Sequence, residues 1–246
     1  MFGFSGVHLF FVLSGFIIFT VHFSDIDKPR RALSYIRKRF IRIYPTYWVT
    51  LAILSSWFLF RDTITMKDVY QNIGLLVMPP IFINPVCWTL SFEILFYILF
   101  LFLILNRQLG GIVFLCWIVG VAATNIFSIQ VSFVLHYAFH KYTVLFMMGV
   151  VSAYAVMHWR QYKPALKKPL AYAVAAGGLL IFSATGYYCV TQHITNWDLW
   201  VITVGFGLAS GMLMATVLLD TVEKFFQQRT MLTSLGDASY SVYLVH

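Results

Sequence analysis

The chain has 246 residues, of which 60% are hydrophobic and only 11% charged, with a mean hydropathy of +0.80. A soluble domain carries about 25% charged residues, so this composition excludes a single water-facing globule. The net charge of +8 would suit a nucleic-acid binder, but its distribution along the chain points to membrane topology instead.

The apolar residues come in long, continuous runs rather than in alternation. That excludes a membrane β-barrel and predicts an all-α, polytopic transmembrane helix bundle. In chain order the expected spans are 6–23, 43–60, 88–105, 111–128, 141–158, 170–190 and 199–219. Each is long enough to cross a hydrocarbon core at about 1.5 Å per residue. An eighth opens near Ala238 and stops at His246, which would rise only about 14 Å, so about seven full spans plus a truncated eighth are expected. Residues 1–246 are read as one domain.

Basic residues set the orientation. The connections 24–42, 106–110, 159–169 and 220–237 hold 14 of the 17 Lys and Arg residues. The opposite set holds Arg61, Lys67 and Lys141. The basic connections are therefore expected in the cytoplasm, and 61–87, 129–140 and 191–198 outside. Met1 then lies outside, which is economical if a further helix precedes it. Both ends thus read as truncated. No basic stretch precedes the first apolar run and no cleavage site follows it, as a secretory signal would require.

The first span carries Gly6-Val-His-Leu-Phe-Phe-Val-Leu-Ser-Gly15-Phe. Ser14 and Gly15 form a small-residue notch that permits close helix approach. His8 reads as an interfacial histidine at the outer mouth, and His22 and His158 as interfacial at the other side. His136, His140 and His193 face outward in this reading.

Residues 28–45 are the most unusual connection. Leu33, Ile36, Phe40 and Ile43 fall on one stripe of a helical wheel, with Arg31, Lys38, Arg39 and Arg42 opposite. This predicts an interfacial amphipathic helix, with Pro45 opening the next span. Two readings of its charge stand together. One is topogenic charge attracted to anionic headgroups. The other is a phosphate clamp, since Arg39 and Arg42 are three apart and can converge on one anionic group.

The outer connection 61–87 is long for a bundle. Its apolar stretch 70–78, followed by Pro79-Pro80, is expected to fold back into the protein over a site. Beyond it, Glu93 lies at the outer end of a span, in Trp88-Thr-Leu-Ser-Phe-Glu93-Ile-Leu-Phe-Tyr97. It is the only carboxylate within an otherwise apolar span. Such a group costs several kcal/mol unless paired, protonated or beside water, so it is the leading candidate for chemistry. The alternative is a hydrogen bond that locks two helices. Trp88 and Tyr97 read as interfacial belt and packing. Cys87, Cys116 and Cys189 show neither a disulfide framework nor metal-ligand spacing, and no metal is expected.

Four segments in this order resemble the acyltransferase 3 family of bacterial membrane acyltransferases: the Gly6–Phe16 run, Arg39-Phe-Ile-Arg-Ile-Tyr-Pro45, Trp88–Glu93 with Phe96-Tyr97, and Ser239-Tyr-Ser-Val-Tyr-Leu-Val-His246. The flavour is closest to members that decorate exopolysaccharide or other surface glycans. The resemblance implies a multi-pass protein of the bacterial inner membrane. It would move an acyl group, acetyl by expectation, from cytoplasmic acyl-CoA to a hydroxyl on an extracytoplasmic carbohydrate. It implies that Arg39 and Arg42, with Lys38 beside them, hold the CoA phosphates and that Glu93 belongs to the catalytic centre. The family's principal histidine lies on a first helix that has no counterpart here, and His8 is in the wrong segment to replace it. The expected partners are the bilayer and the carbohydrate acceptor, and no nucleic acid. A lipid-linked-sugar transporter or flippase is the competing class, and an inactive remnant of the acyltransferase is a third.

Overall fold

The structure is a computed structural model. It describes residues 3–75, 82–127, 129, 133–159, 164–194 and 199–214. The expected eighth span, the end of the seventh, Pro79-Pro80 and the Ser239–His246 segment lie outside the described residues. Among the described residues all regular structure is helical, so the all-α bundle holds. Its helices are α1 (Gly3–His22), α2 (Ala32–Phe60), α3 (Met66–Asn72), α4 (Trp88–Leu105), α5 (Arg107–Ile126), α6 (Phe133–Ala138), α7 (Thr143–Trp159), α8 (Pro164–Thr191) and α9 (Trp200–Met214). Five segments, Ser5–Asp25, Pro29–Phe60, Pro85–Leu105, Arg107–Ile126 and Pro169–Thr191, are long and apolar enough to cross a membrane. The shorter apolar helices α7 and α9 fall on two more expected spans.

The chain divides into two compact units, one formed by residues 1–24 and 140–230 and the other by 25–139 and 231–246. In the first, α1 packs on α7 and α9, and α8 packs on α9. Small residues make this possible. A side chain at Gly15 would run into the Phe146 carbonyl of α7, and one at Gly149 into the Val12 carbonyl of α1. The two helices thus touch backbone to backbone, each glycine seated on the other helix. Without a hydrophobic driving force between helices in lipid, such close approach supplies the van der Waals contact that holds them together. Gly207 and Gly211 of α9 instead make room for side chains of α7, those of Met148 and Leu145 at the first and of Ser152 at the second. His8 is 1% exposed, with its ring edge-on to Tyr142 and 5.6 Å from Phe206. It is therefore enclosed by aromatic rings, not interfacial as its place near a span end suggested. His22 is likewise buried, whereas His158 is exposed.

In the second unit two boundaries differ from the sequence reading. The basic segment is not a separate interfacial helix. Pro29 sits in a 3-10 turn at Pro29–Arg31 that leads directly into α2, and α2 runs unbroken through Pro45. Pro at the first turn needs no N–H partner, so Pro29 gives the start signal that was assigned to Pro45. Pro45 costs α2 one backbone hydrogen bond, to the Ile41 carbonyl, and projects outward. The second difference is at 106–110, read as a loop. Asn106 alone separates α4 from α5, and its side-chain oxygen accepts from the Leu109 N–H at 2.9 Å, a helix N-cap. Gly110 permits this tight turn, since a Cβ there would lie 2.5 Å from the Leu103 Cα. Asp27, at φ 63°, clasps the turn: its N–H donates to Leu103 O at 3.0 Å and its carboxylate accepts from Arg107 N at 3.3 Å.

The connection 61–87 folds back along α2. After α2 ends at Phe60, α3 descends beside it until the Tyr47 hydroxyl donates to the Asn72 carbonyl and Trp48 Nε1 donates to Ile73 O at 3.1 Å. Tyr47 is 13 residues from the end of α2, so the connection returns about 20 Å along the helix. Asn72 then accepts from the Ile83 N–H through Oδ1, and Leu75, Ile83, Asn84 and Cys87 are buried.

Two outcomes test this packing. Gly149→Leu must push α1 and α7 apart, and overpacking of this kind costs about 1–3 kcal/mol or more. Thermal unfolding in detergent should show the loss, while Gly6→Ala, which meets open space, leaves the midpoint unchanged. Second, α3 begins with a reciprocal cap: Asp68 Oδ2 accepts from Thr65 N and Oγ1, and Thr65 Oγ1 accepts from Asp68 N. These bonds from Thr65 hold the exposed Asp68 carboxyl below its ordinary range. The stabilisation is therefore complete above the unfolded value of about 3.9 and is lost as pH falls through the lowered one. Hydrogen exchange at Val69–Ile73, corrected for intrinsic rates, should accelerate only below that range, and Asp68→Asn should abolish the pH dependence.

Candidate active site

The polar centre of the second unit lies where α2 meets α4. The face of α2 turned inward carries Tyr35, Ile43, Tyr47, Thr50 and Ser55, all buried, with Arg39 half-buried on the same line. This line runs between the two stripes expected from the helical wheel. The apolar residues Leu33, Ile36 and Phe40 are 77%, 46% and 44% exposed, so they face outward, and only Ile43 of that stripe is buried. In a helix that crosses lipid, the apolar stripe is the solvent-facing one, and the mixed stripe finds protein. Phe40, Tyr44 and Trp48 continue the outer face as a ladder, with successive ring centroids 4.6 and 5.4 Å apart.

Glu93 stands on the second turn of α4 and is 2% exposed. It lies near the N-terminal end of its span, as expected, but two elements place it nearer the basic segment than the sequence suggested. α2 begins at Ala32, and the connection 61–87 delivers the start of α4 well down the side of α2. Glu93 therefore comes near the first turns of α2, where Tyr35 donates to the Tyr97 carbonyl and Arg39 lies against the Tyr97 ring. Arg42 in turn lies 18 residues, or about 27 Å, from the end of α2 at Phe60, close to the thickness of a hydrocarbon core of about 30 Å.

The local wiring is specific. Tyr97, one helical turn after Glu93, donates its hydroxyl to Glu93 Oε1. The Tyr35 hydroxyl donates to the Tyr97 carbonyl at 3.2 Å. The guanidinium of Arg39 lies 5.6 Å from the centre of the Tyr35 ring and 5.2 Å from that of Tyr97. A cation in this position is attracted by the negative ring faces. Glu93 Oε2 is buried and accepts no hydrogen bond among the described residues, and neither does the Ser91 hydroxyl. A buried carboxylate oxygen with spare lone pairs can take a proton from an incoming hydroxyl, which is the role a general base requires.

Lys38 and Arg42 are exposed on the flank of α2, with Arg39 between them facing α4. Of the two arginines expected to converge on an anionic group, Arg39 is turned to the rings of Tyr35 and Tyr97, and Arg42 is exposed. Tyr35 and Tyr97 are the members of this centre that the sequence reading missed. The usable signal was spacing: Tyr97 is four residues after Glu93, and Tyr35 four before Arg39, each on the same helical face as its partner.

Other features are poorer in chemistry. His140 lies against Tyr142, with ring centroids 4.7 Å apart. Cys87 and Cys189 are buried and free, and Cys116 is exposed and free. A cavity of about 420 Å³ in the first unit lies between α7, α8 and α9, walled by residues such as Met148, Val151, Leu170 and Met212. No ionisable side chain lines it among the described residues, so it cannot itself activate a hydroxyl.

No curated protein and no solved structure matches the chain. The family model described as an acyltransferase domain, that of the acyltransferase 3 family, matches it over residues 1–246. The match spans the whole chain and agrees with its long apolar helices: the chain belongs to the acyltransferase 3 family, as a multi-pass membrane acyltransferase.

Proposed function

We propose that the protein transfers an acyl group, acetyl in the simplest case, from cytoplasmic acyl-CoA to a hydroxyl of an extracytoplasmic carbohydrate, in the inner membrane of a bacterium. The observation that carries this reading is the juxtaposition of the cation row Lys38, Arg39 and Arg42 on α2 with Glu93 on α4. An acyl-CoA donor brings phosphates at one end and a thioester at the other. Exposed cations can anchor phosphate, and a buried carboxylate can serve the acyl-transfer step once the flexible pantetheine arm brings the thioester to it. The concentration of 14 of 17 basic residues in one set of connections supports a cytoplasmic position for the row.

In the proposed reaction Glu93 accepts the proton of the sugar hydroxyl as its oxygen attacks the thioester carbonyl carbon. The tetrahedral intermediate collapses with cleavage of the C–S bond. The departing thiolate of CoA takes the proton back from Glu93, so that ester and free thiol leave and the carboxylate is restored. The Tyr97 hydroxyl holds Oε1 in place, so Oε2 is the oxygen that exchanges the proton. A lipid-linked-sugar transporter would need no acyl donor, and family membership speaks for the transferase.

The test is acyl-CoA-dependent acylation of a surface-glycan acceptor by the protein in lipid nanodiscs. Removal of a general base costs about 10²–10⁴ in rate, so Glu93→Gln should lower kcat by that factor with donor binding retained. Unchanged kcat in Glu93→Gln would remove Glu93 from the chemistry, and sugar flux without CoA release would overturn the transferase reading.

A further inference from the structure

We infer that Arg39 is a positioning residue for Glu93, and that direct contact with the donor phosphates falls to Arg42 and Lys38. This rests on the acyl-CoA reading above for the phosphate half only. The Arg39–Glu93 half stands on the link through Tyr97, whose ring carries Arg39 and whose hydroxyl bonds Glu93.

The neighbouring cations differ in their surroundings. Lys38 and Arg42 are exposed, free to swing toward a ligand outside the helix. Arg39 is turned to α4, with its guanidinium beside two tyrosine rings at 5.6 and 5.2 Å. Those rings are themselves fixed. Tyr35 donates to the Tyr97 carbonyl, and Tyr97 donates to Glu93 Oε1. The ring that carries the arginine thus belongs to the residue that orients the carboxylate. Swinging Arg39 out to a phosphate would vacate both ring faces and withdraw one of the two charges that act on Glu93.

A guanidinium suits this place better than an ammonium. Its flat, weakly hydrated face can lie against an aromatic ring, whereas an ammonium is a compact point charge that keeps its water. Several elements pack on α4. Tyr35, Arg39 and Arg42 come from α2 and Tyr97 from its own helix. From α5 come Phe114 and Trp117, which do not titrate, and from α6 comes Tyr137, its ring tilted 34° to that of Phe92 with centroids 4.6 Å apart. Among the described residues, the turns Pro29–Arg31 and Pro85–Cys87 also pack on α4 and bring Arg30, Arg31 and Cys87. Arg39 is the one cation among them that is held against the rings as well as acting on the carboxyl.

The experiment uses the whole chain in nanodiscs with three readouts: equilibrium binding of acetyl-CoA, kcat of acyl transfer, and the infrared band of Glu93, taken as the difference from Glu93→Gln across pH. In Arg39→Gln the acetyl-CoA dissociation constant should stay within about twofold while kcat falls at least about tenfold. The Glu93 carboxyl band should move from its position in the unsubstituted protein, since one neighbouring charge is gone. Arg39→Lys, which keeps the charge, should restore the band position but only part of kcat. Arg42→Gln should raise the dissociation constant about tenfold or more, as loss of a charge-assisted phosphate contact does. An Arg39→Gln protein that binds acetyl-CoA tenfold more weakly, with its Glu93 band unmoved, overturns the assignment. If the unsubstituted protein binds no acetyl-CoA, the donor reading fails, and the infrared shift still decides whether Arg39 governs Glu93.

Discussion

A carboxylate in hydrocarbon is the constraint around which the second unit is built. Its effective desolvation penalty is several kcal/mol, and no backbone geometry removes it. Only nearby charge and hydrogen-bond donors do. Around Glu93 the chain supplies one hydroxyl donor from its own helix and two guanidinium charges from a helix more than 40 residues earlier. Those charges must be brought to the same depth as the carboxylate. That requirement accounts for two features with no purpose of their own. α2 is 29 residues long, and its first turns carry the cations alongside α4. The connection 61–87 returns down α2 and lets α4 begin beside the middle of α2 instead of at its end.

The compensation is incomplete by design of the site. Glu93 Oε1 is bonded and Oε2 is not, among the described residues. A purely structural carboxylate would be expected to use both oxygens, since each unused lone pair adds to the cost of burial. Leaving one oxygen open is the arrangement that lets a substrate proton arrive. A helix-locking hydrogen bond accounts for Oε1 through Tyr97, and the catalytic role proposed above would use Oε2.

Much of this was legible in the sequence because lipid makes few demands and makes them plainly. Runs of apolar residues located the helices, and the single carboxylate in such a run marked Glu93. Depth was not legible. Hydropathy marks where a helix is greasy, not where it starts, so α2 was begun 11 residues late, at 43 in place of Ala32. Its charged turns are as helical as the rest. Nor was the inward face legible, because an apolar stripe signals the core in water but the lipid boundary in a membrane. Leu33, Ile36 and Phe40 do face outward, as an interfacial stripe should, but the inward line of Tyr35, Ile43 and Tyr47 beside it carried no apolar signal of its own. The fold-back of 61–87 was anticipated from its length and apolar content. Its anchors on Tyr47 and Trp48 depend on backbone carbonyls, which leave no trace in side-chain pattern.

In the first unit the contact between Gly15 and Gly149 has a consequence for how the protein is made. The partner of α1 is encoded about 130 residues downstream, and all of 25–139 is synthesised in between. At 5–20 residues per second the ribosome needs roughly 7–27 s to reach Gly149. During that interval α1 sits in the bilayer with its notch unfilled and His8 without the rings of Tyr142 and Phe206. Assembly of this unit is therefore a late, non-local event. The waiting helix must be kept from other small-faced helices by the crowding of the insertion machinery or by lipid packed into the groove.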